Sequence, residues 1–164
     1  MKLSAQEEYG LRCLLQVALH RGDDPLTIPV IAEREGLSPE YTGKLMRVLR
    51  QGGLVVSTRG NTGGYHLAKP ADEITLHDAI VVLDGPLFAE GFCEAHTGNA
   101  ASCVHSETSC SVRALWRWMG AAIDKVLRTL TLADLAGGSA GLGNALTGAE
   151  RAAPPRIRVA ERFG

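Results

Sequence analysis

Cys93, Cys103 and Cys110 fall in one stretch made almost wholly of small and polar residues, running from Gly91 to Cys110 (GFCEAHTGNAASCVHSETSC). Such a stretch has little to bury. A loop this long inside a compact domain is usually functional or disordered. Three soft thiolates on it point to an inorganic group that orders it, an iron-sulfur cluster first of all. His105, two residues after Cys103, and His96 are further donors in the same stretch, although loop histidines are more often solvated than ligating. A redox disulfide between Cys103 and Cys110 ranks second. Tetrahedral zinc on the three cysteines and a histidine ranks third, because the spacing is unlike paired Cys-x-x-Cys knuckles. The fourth cysteine, Cys13, lies in the helical apolar pattern Leu11, Leu14, Leu15, Ala18 and is expected in the core.

The rest of the 164-residue chain must position that loop. Hydrophobic content of 45% permits a core, and a net charge of -1 leaves the partner undetermined. The length fits one domain or a small domain with an appended element. No apolar run is long enough to span a membrane, and residues 1–8 lack a signal-peptide core. A cytoplasmic protein is expected, where structural disulfides are rare.

Capping signals divide the chain. Ser4 and Glu7 form a capping box for a first helix that runs to about Leu19. Thr27 is expected to cap a short second helix, with Pro29 in its first turn and Gly36 at its end. Ser38-Pro39 starts a third helix and Gly52-Gly53 stops it. Tyr41, Leu45, Val48 and Leu49 share its apolar face. Pro39, Glu40, Gly43, Arg47 and Arg50 share the other, flanked by Lys44. Two short helices joined by a tight turn make a helix-turn-helix, and the outward face of the second would enter the major groove.

Residues 54–59 and 65–68 then read as strands around the turn Gly60-Asn-Thr-Gly-Gly64, a β-hairpin. A hairpin directly after a recognition helix is the wing of a winged helix, with Arg59 and Asn61 near its tip. From Tyr41 through Ala71 there are Lys44, Arg47, Arg50, Arg59 and Lys69 and no acidic residue. Charge alone would fit a solvated face. Placed on a helix-turn-helix and wing, it fits a phosphate backbone. Ser38, Glu40, Tyr41, Lys44, Arg47, Arg50, Arg59 and Asn61 are the expected DNA-contacting set, with Glu40 able to accept from a cytosine amino group.

Thr75 starts a fourth helix that Gly85-Pro86 ends. After the cysteine loop, residues 111–130 place Val112, Leu115, Trp116, Met119, Ile123, Val126, Leu127 and Leu130 at three- and four-residue spacing. This is expected to be a dimerisation helix. Packing on the first helix of its own chain is the alternative, and both can hold at once. From Gly137 the Gly/Ala-rich sequence is expected to be disordered.

The run from Leu49 to Ala68 (LRQGGLVVSTRGNTGGYHLA) resembles the signature of the Rrf2 family of bacterial transcription regulators. The start Met1-Lys-Leu-Ser4, the helix-turn-helix from Ile31 to Arg50, Ile74-Thr-Leu, and Thr131-Leu-Ala-Asp-Leu135 are similar to it too. The resemblance covers roughly residues 1–136. It implies a winged-helix homodimer with a long crossed dimer helix, and, in many members, an iron-sulfur cluster on three cysteines that sets DNA affinity. Here the cysteine spacings are nine and six, where the iron-sulfur-biogenesis type has about five. Arg113 stands where that type has a ligating histidine. Some relatives use an N-terminal acidic residue of the other subunit, which corresponds to the partner's Glu8. Without the resemblance, Glu8 is a carboxylate favoured in a helix's first turn.

The expected architecture is therefore mainly α with a small β-hairpin wing. A winged helix-turn-helix domain covers 1–85, the cysteine loop 86–111, the dimerisation helix and a short terminal helix 112–136, and a tail 137–164. The expected function is a non-enzymatic DNA-binding regulator, a repressor, whose affinity is gated by a [2Fe-2S] or [4Fe-4S] cluster on Cys93, Cys103 and Cys110. Redox state, nitric oxide or iron-sulfur status would be the signal. A cluster-free thiol-switch, zinc or small-ligand regulator is the alternative. A non-DNA-binding electron-transfer protein is less expected, since it has no use for a basic helix-turn-helix.

Overall fold

In the computed structural model, residues 4–58, 60, 63–86 and 110–151 are described. The elements in order are α1 (Ala5–Leu19), α2 (Ile28–Glu35), α3 (Pro39–Gln51), β1 (Val55–Thr58), β2 (Gly64–Leu67), α4 (Leu76–Asp84), α5 (Ser111–Thr129), α6 (Leu132–Ala136) and α7 (Gly138–Arg151). Among the described residues, no helix is long and apolar enough to cross a membrane.

The local signals act as their chemistry dictates. The Ser4 hydroxyl accepts from the Glu7 amide at 3.1 Å, and the Glu7 carboxylate accepts from the Ser4 amide at 2.6 Å. Thr75 caps α4 through the Asp78 amide at 3.0 Å, and Thr131 and Asp134 form a second capping box on α6. Thr27 occupies the N-cap of α2, but its side chain makes no capping bond; Pro29 removes one first-turn amide that such a cap would serve.

The core gathers Cys13 and Leu14 of α1, Ile31 of α2, and Leu45, Met46 and Leu49 of α3. It closes with Val55, Ile74, Leu83 and Leu132. Burial, with a smaller contribution from Glu35, pushes the Cys13 thiol up to about 12. β1 and β2 pair antiparallel with Val55 opposite Leu67 and Thr58 opposite Gly64. Leu26 adds a bridge to the outer edge of β2, exchanging both backbone bonds with Tyr65 at 3.0 and 2.9 Å. This ties the hairpin to the segment that leads into α2.

The chain after α5 returns to the same body. The Leu132 amide donates to the Ile74 carbonyl at 2.8 Å and the Leu76 amide to the Leu130 carbonyl at 2.9 Å, so α4 and α6 start from one bridge. α5 rests on α4. There His77 Nδ1 lies 2.6 Å from Asp124, which also accepts from Arg128 at 2.7 Å. Arg128 chiefly, and His77 after it, hold the Asp124 carboxyl below its ordinary value.

α7 corrects the expectation for the tail. Residues 138–151 are helical, whereas 152–164 lie outside the described residues. Gly141, one of the glycines that suggest disorder, serves close packing instead. A Cβ on Gly141 would collide with the Asp134 carbonyl oxygen, so only glycine lets α7 turn back against α6.

Candidate nucleic-acid interface

α2 ends at Gly36, whose φ of 65° turns the chain sharply while its amide bonds back to α2. The Leu37 amide donates to Ala32 at 2.9 Å, and the Ser38 hydroxyl then accepts from the Tyr41 amide at 3.2 Å to start α3. These bonds fix the angle between the two helices. Burial sets the rotation of α3: Thr42, Leu45, Met46 and Leu49 face the core. Glu40, Lys44, Arg47 and Arg50 are thereby left exposed on one outer face.

That face and the hairpin bound a single open groove. It is lined by Ile28 and Pro39, by the outward residues of α3, and by Ser57 and Tyr65 of the hairpin. Glu40 and Lys44 pair at 2.9 Å, and this bond holds the Glu40 carboxyl below its ordinary value. Among the described residues, neither Arg47 nor Arg50 has an acidic partner within ion-pair distance. Two unneutralised guanidinium groups beside a paired lysine form a cationic surface suited to phosphate and base edges.

The structure brings Glu40, Lys44, Arg47 and Arg50 to this groove and uses Ser38 as the cap. Tyr41 goes elsewhere. Its ring stands edge-on to Tyr9 of α1, with centroids 6.2 Å apart, so it packs between helices and does not line the groove. Arg59 and Asn61 lie outside the described residues. Ile28, Ser57 and Tyr65 are the groove residues that sequence reasoning missed. The Leu26–Tyr65 bridge brings them in, and no periodic pattern signals it.

The chain is similar to known transcription regulators over most of its length. The Rrf2 family profile, described as "Iron-dependent Transcriptional regulator", matches residues 3–138. The chain belongs to the Rrf2 family. Protein rrf2 of Nitratidesulfovibrio vulgaris is 38% identical over 135 residues, which cover 82% of this chain and 87% of that protein. Among solved structures, CymR (YrzC), the global cysteine regulator of B. subtilis, superposes with a TM-score of 0.68 at 34% identity, covering 84% of this chain and 97% of that one. IscR of T. potens gives a TM-score of 0.64 at 32% identity, covering 94% and 92%. This Rrf2 chain is thus a winged-helix transcription regulator that binds DNA, and its relatives are regulators, not enzymes.

Of the expected cluster ligands, Cys93 and Cys103 lie outside the described residues, as do His96 and His105. Cys110 is the N-cap of α5, and its sulfur accepts from the Arg113 amide at 3.4 Å. Glu8 is half-exposed on the first turn of α1 and pairs with Arg12 of its own chain at 2.5 Å. The Arg12 guanidinium lies 5.6 Å above the Tyr9 ring. Among the described residues, no three His, Cys, Asp or Glu side chains converge on a metal position.

Proposed function

We propose that this Rrf2 protein is a homodimeric repressor whose operator affinity is set by an iron-sulfur cluster on Cys93, Cys103 and Cys110. The observation that carries the DNA-reading part is the outer face of α3, where Arg47 and Arg50 stand unneutralised at the groove. The gating part rests on Cys110. This cysteine is the N-cap of the long helix, so whatever binds its sulfur acts directly on where α5 begins. Cys110 is partly buried, and among the described residues its sulfur is engaged by one amide, which leaves it able to take a metal.

Such a cluster supplies a redox- and nitric-oxide-sensitive link among thiolates. The chain's own residues carry the consequence. Cys110 starts α5, Asp124 and His77 join α5 to α4, and α4 packs on α3. A shift at Cys110 therefore reaches the reading helix through packed elements. The partner's Glu8 is the favoured fourth ligand, with His105 as the alternative; in the free protomer Arg12 must release Glu8 before it can ligate.

Dimerisation rests on the surface of α5. Trp116, Ile123 and Leu127 are partly covered, while Val112, Leu115, Trp118 and Met119 are exposed. A contiguous apolar patch of this kind marks an interaction surface. The two α3 helices of the dimer would then occupy successive major grooves of a near-palindromic operator.

A cluster-free thiol switch through Cys103 and Cys110 is the second reading, favoured by the likeness to CymR, the global cysteine regulator of B. subtilis. The test is operator affinity of wild type and Cys103→Ala under anaerobic and oxidising conditions. Wild type is expected to change affinity between the two conditions and Cys103→Ala is not. Identical behaviour of the two proteins contradicts gating through this cysteine. Iron and sulfide content of the anaerobic protein separates a cluster from a disulfide.

A further inference from the structure

α3 has one interior glycine, Gly43. Glycine inside a helix lowers its stability relative to alanine, so its presence calls for a reason. At three other glycines of the winged-helix body packing supplies one. A Cβ on Gly10 would run into the Leu83 side chain, and one on Gly52 into Val82. One on Gly64 would lie 2.7 Å from the Leu26 carbonyl oxygen. Gly43 differs from all three. A Cβ there would meet only Ile28 Cδ1, at 3.6 Å, an ordinary van der Waals contact. Nothing among the described residues requires glycine at this position.

The missing side chain opens a notch in the middle of the groove. Ile28 forms its apolar floor, and Pro39, Glu40, Lys44 and Arg47 surround it. The notch is small, apolar at the base and ringed by groups suited to nucleic acid. In the major groove, the one apolar group a base pair presents is the C5 methyl of thymine. Cytosine and uracil lack it.

We propose that the Gly43 notch receives a thymine C5 methyl and so selects an A·T pair at one position of each operator half-site. This rests on the DNA-reading assignment of α3 and adds to it the base that the apolar part of the face recognises. The cations hold the duplex against the groove, and the absence of a Cβ lets the base edge approach as far as Ile28.

The test begins by selecting an operator for the full-length protein from a random-sequence duplex pool. Each thymine of that operator is then replaced by deoxyuridine in turn, and affinities are measured by fluorescence anisotropy. One thymine per half-site should show a loss of about fourfold on replacement, the worth of one buried methyl group, and about fifteenfold when both half-sites are changed. Gly43→Ala fills the same space. It should bind the parent and the deoxyuridine duplex with equal affinity, weaker than wild type binds the parent. Its melting temperature should be no lower than wild type, because the added methyl clashes with nothing and alanine favours helix. Uniform tolerance of deoxyuridine by wild type, or an undiminished penalty in Gly43→Ala, overturns the notch while leaving DNA reading intact. Failure to enrich any sequence overturns both.

Discussion

Replacing Arg47 or Arg50 by alanine tests whether the outer face of α3 is an electrostatic one. Both guanidinium groups are exposed at the groove without an acidic partner among the described residues, whereas Lys44 is paired with Glu40 at 2.9 Å. Each phosphate contact contributes about -0.9 to the slope of log affinity against log salt, so removing one arginine from both protomers of the proposed dimer should flatten that slope by about 1.8. Between 50 and 200 mM salt each lost contact corresponds to about a 3.5-fold difference in the affinity change. Lys44→Ala should flatten the slope less, because Glu40 already neutralises that charge in the free protein. Glu40→Gln should steepen it, by freeing Lys44 for phosphate. Anisotropy titrations with a fixed duplex at four or five salt concentrations provide the slopes. An unchanged slope in both arginine variants, or a flatter one in Glu40→Gln, would refute the assignment of this face to DNA.

Three further outcomes follow from the packing. Thr42 is fully buried on α3 with its hydroxyl unpartnered among the described residues, an arrangement that costs about 1–3 kcal/mol. Thr42→Val should therefore stabilise the protein by about 1 kcal/mol, seen as a rise of a few degrees in melting temperature, and no change or a fall would show that the hydroxyl has a partner in solution. Leu115 is 55% exposed on α5, so Leu115→Asp should leave the monomer folded and abolish dimerisation in sedimentation experiments; a dimer of undiminished stability would place the interface elsewhere. Cys13, with its thiol pushed up to about 12 by burial, should resist maleimide in the native protein at pH 8 and react only after unfolding. Prompt native labelling of Cys13 would contradict its place in the core.

Much of the architecture was legible because it is encoded locally. Ser4, Ser38 and Thr75 are short polar residues placed just before apolar periodicity, and each caps a helix. Gly36 and Gly53 take positive φ where the chain must turn. The cationic face of α3 was legible for the same reason, since helical spacing alone separates Arg47 and Arg50 from Leu45 and Leu49. What escaped depends on contacts between distant segments. Met46 and Thr42 are buried because α3 is inserted among α1, α4 and the hairpin, so more of its circumference is covered than an amphipathic stripe suggests. Tyr41 is turned to Tyr9 by the crossing of α1 and α3. α5 lies on α4, a contact that no sequence period encodes; the sequence offers packing on α1 only as the alternative to a dimerisation helix. α7 was missed because glycine content predicts flexibility when read locally, and tight helix contact only when Asp134 is known to be opposite Gly141.

The cluster on Cys93, Cys103 and Cys110 is tested most directly by the composition and colour of the protein purified under strict anaerobiosis, with iron, acid-labile sulfide and zinc assayed and a visible spectrum taken before and after exposure to air. A cluster-gated regulator should be brown, with iron and sulfide in matched amounts, should bleach in air, and should show an altered spectrum in Glu8→Ala. Colourless protein that stays metal-free after reconstitution, or protein that holds zinc and no sulfide, would contradict the cluster and leave α3 as the reading head of a regulator with a different sensor.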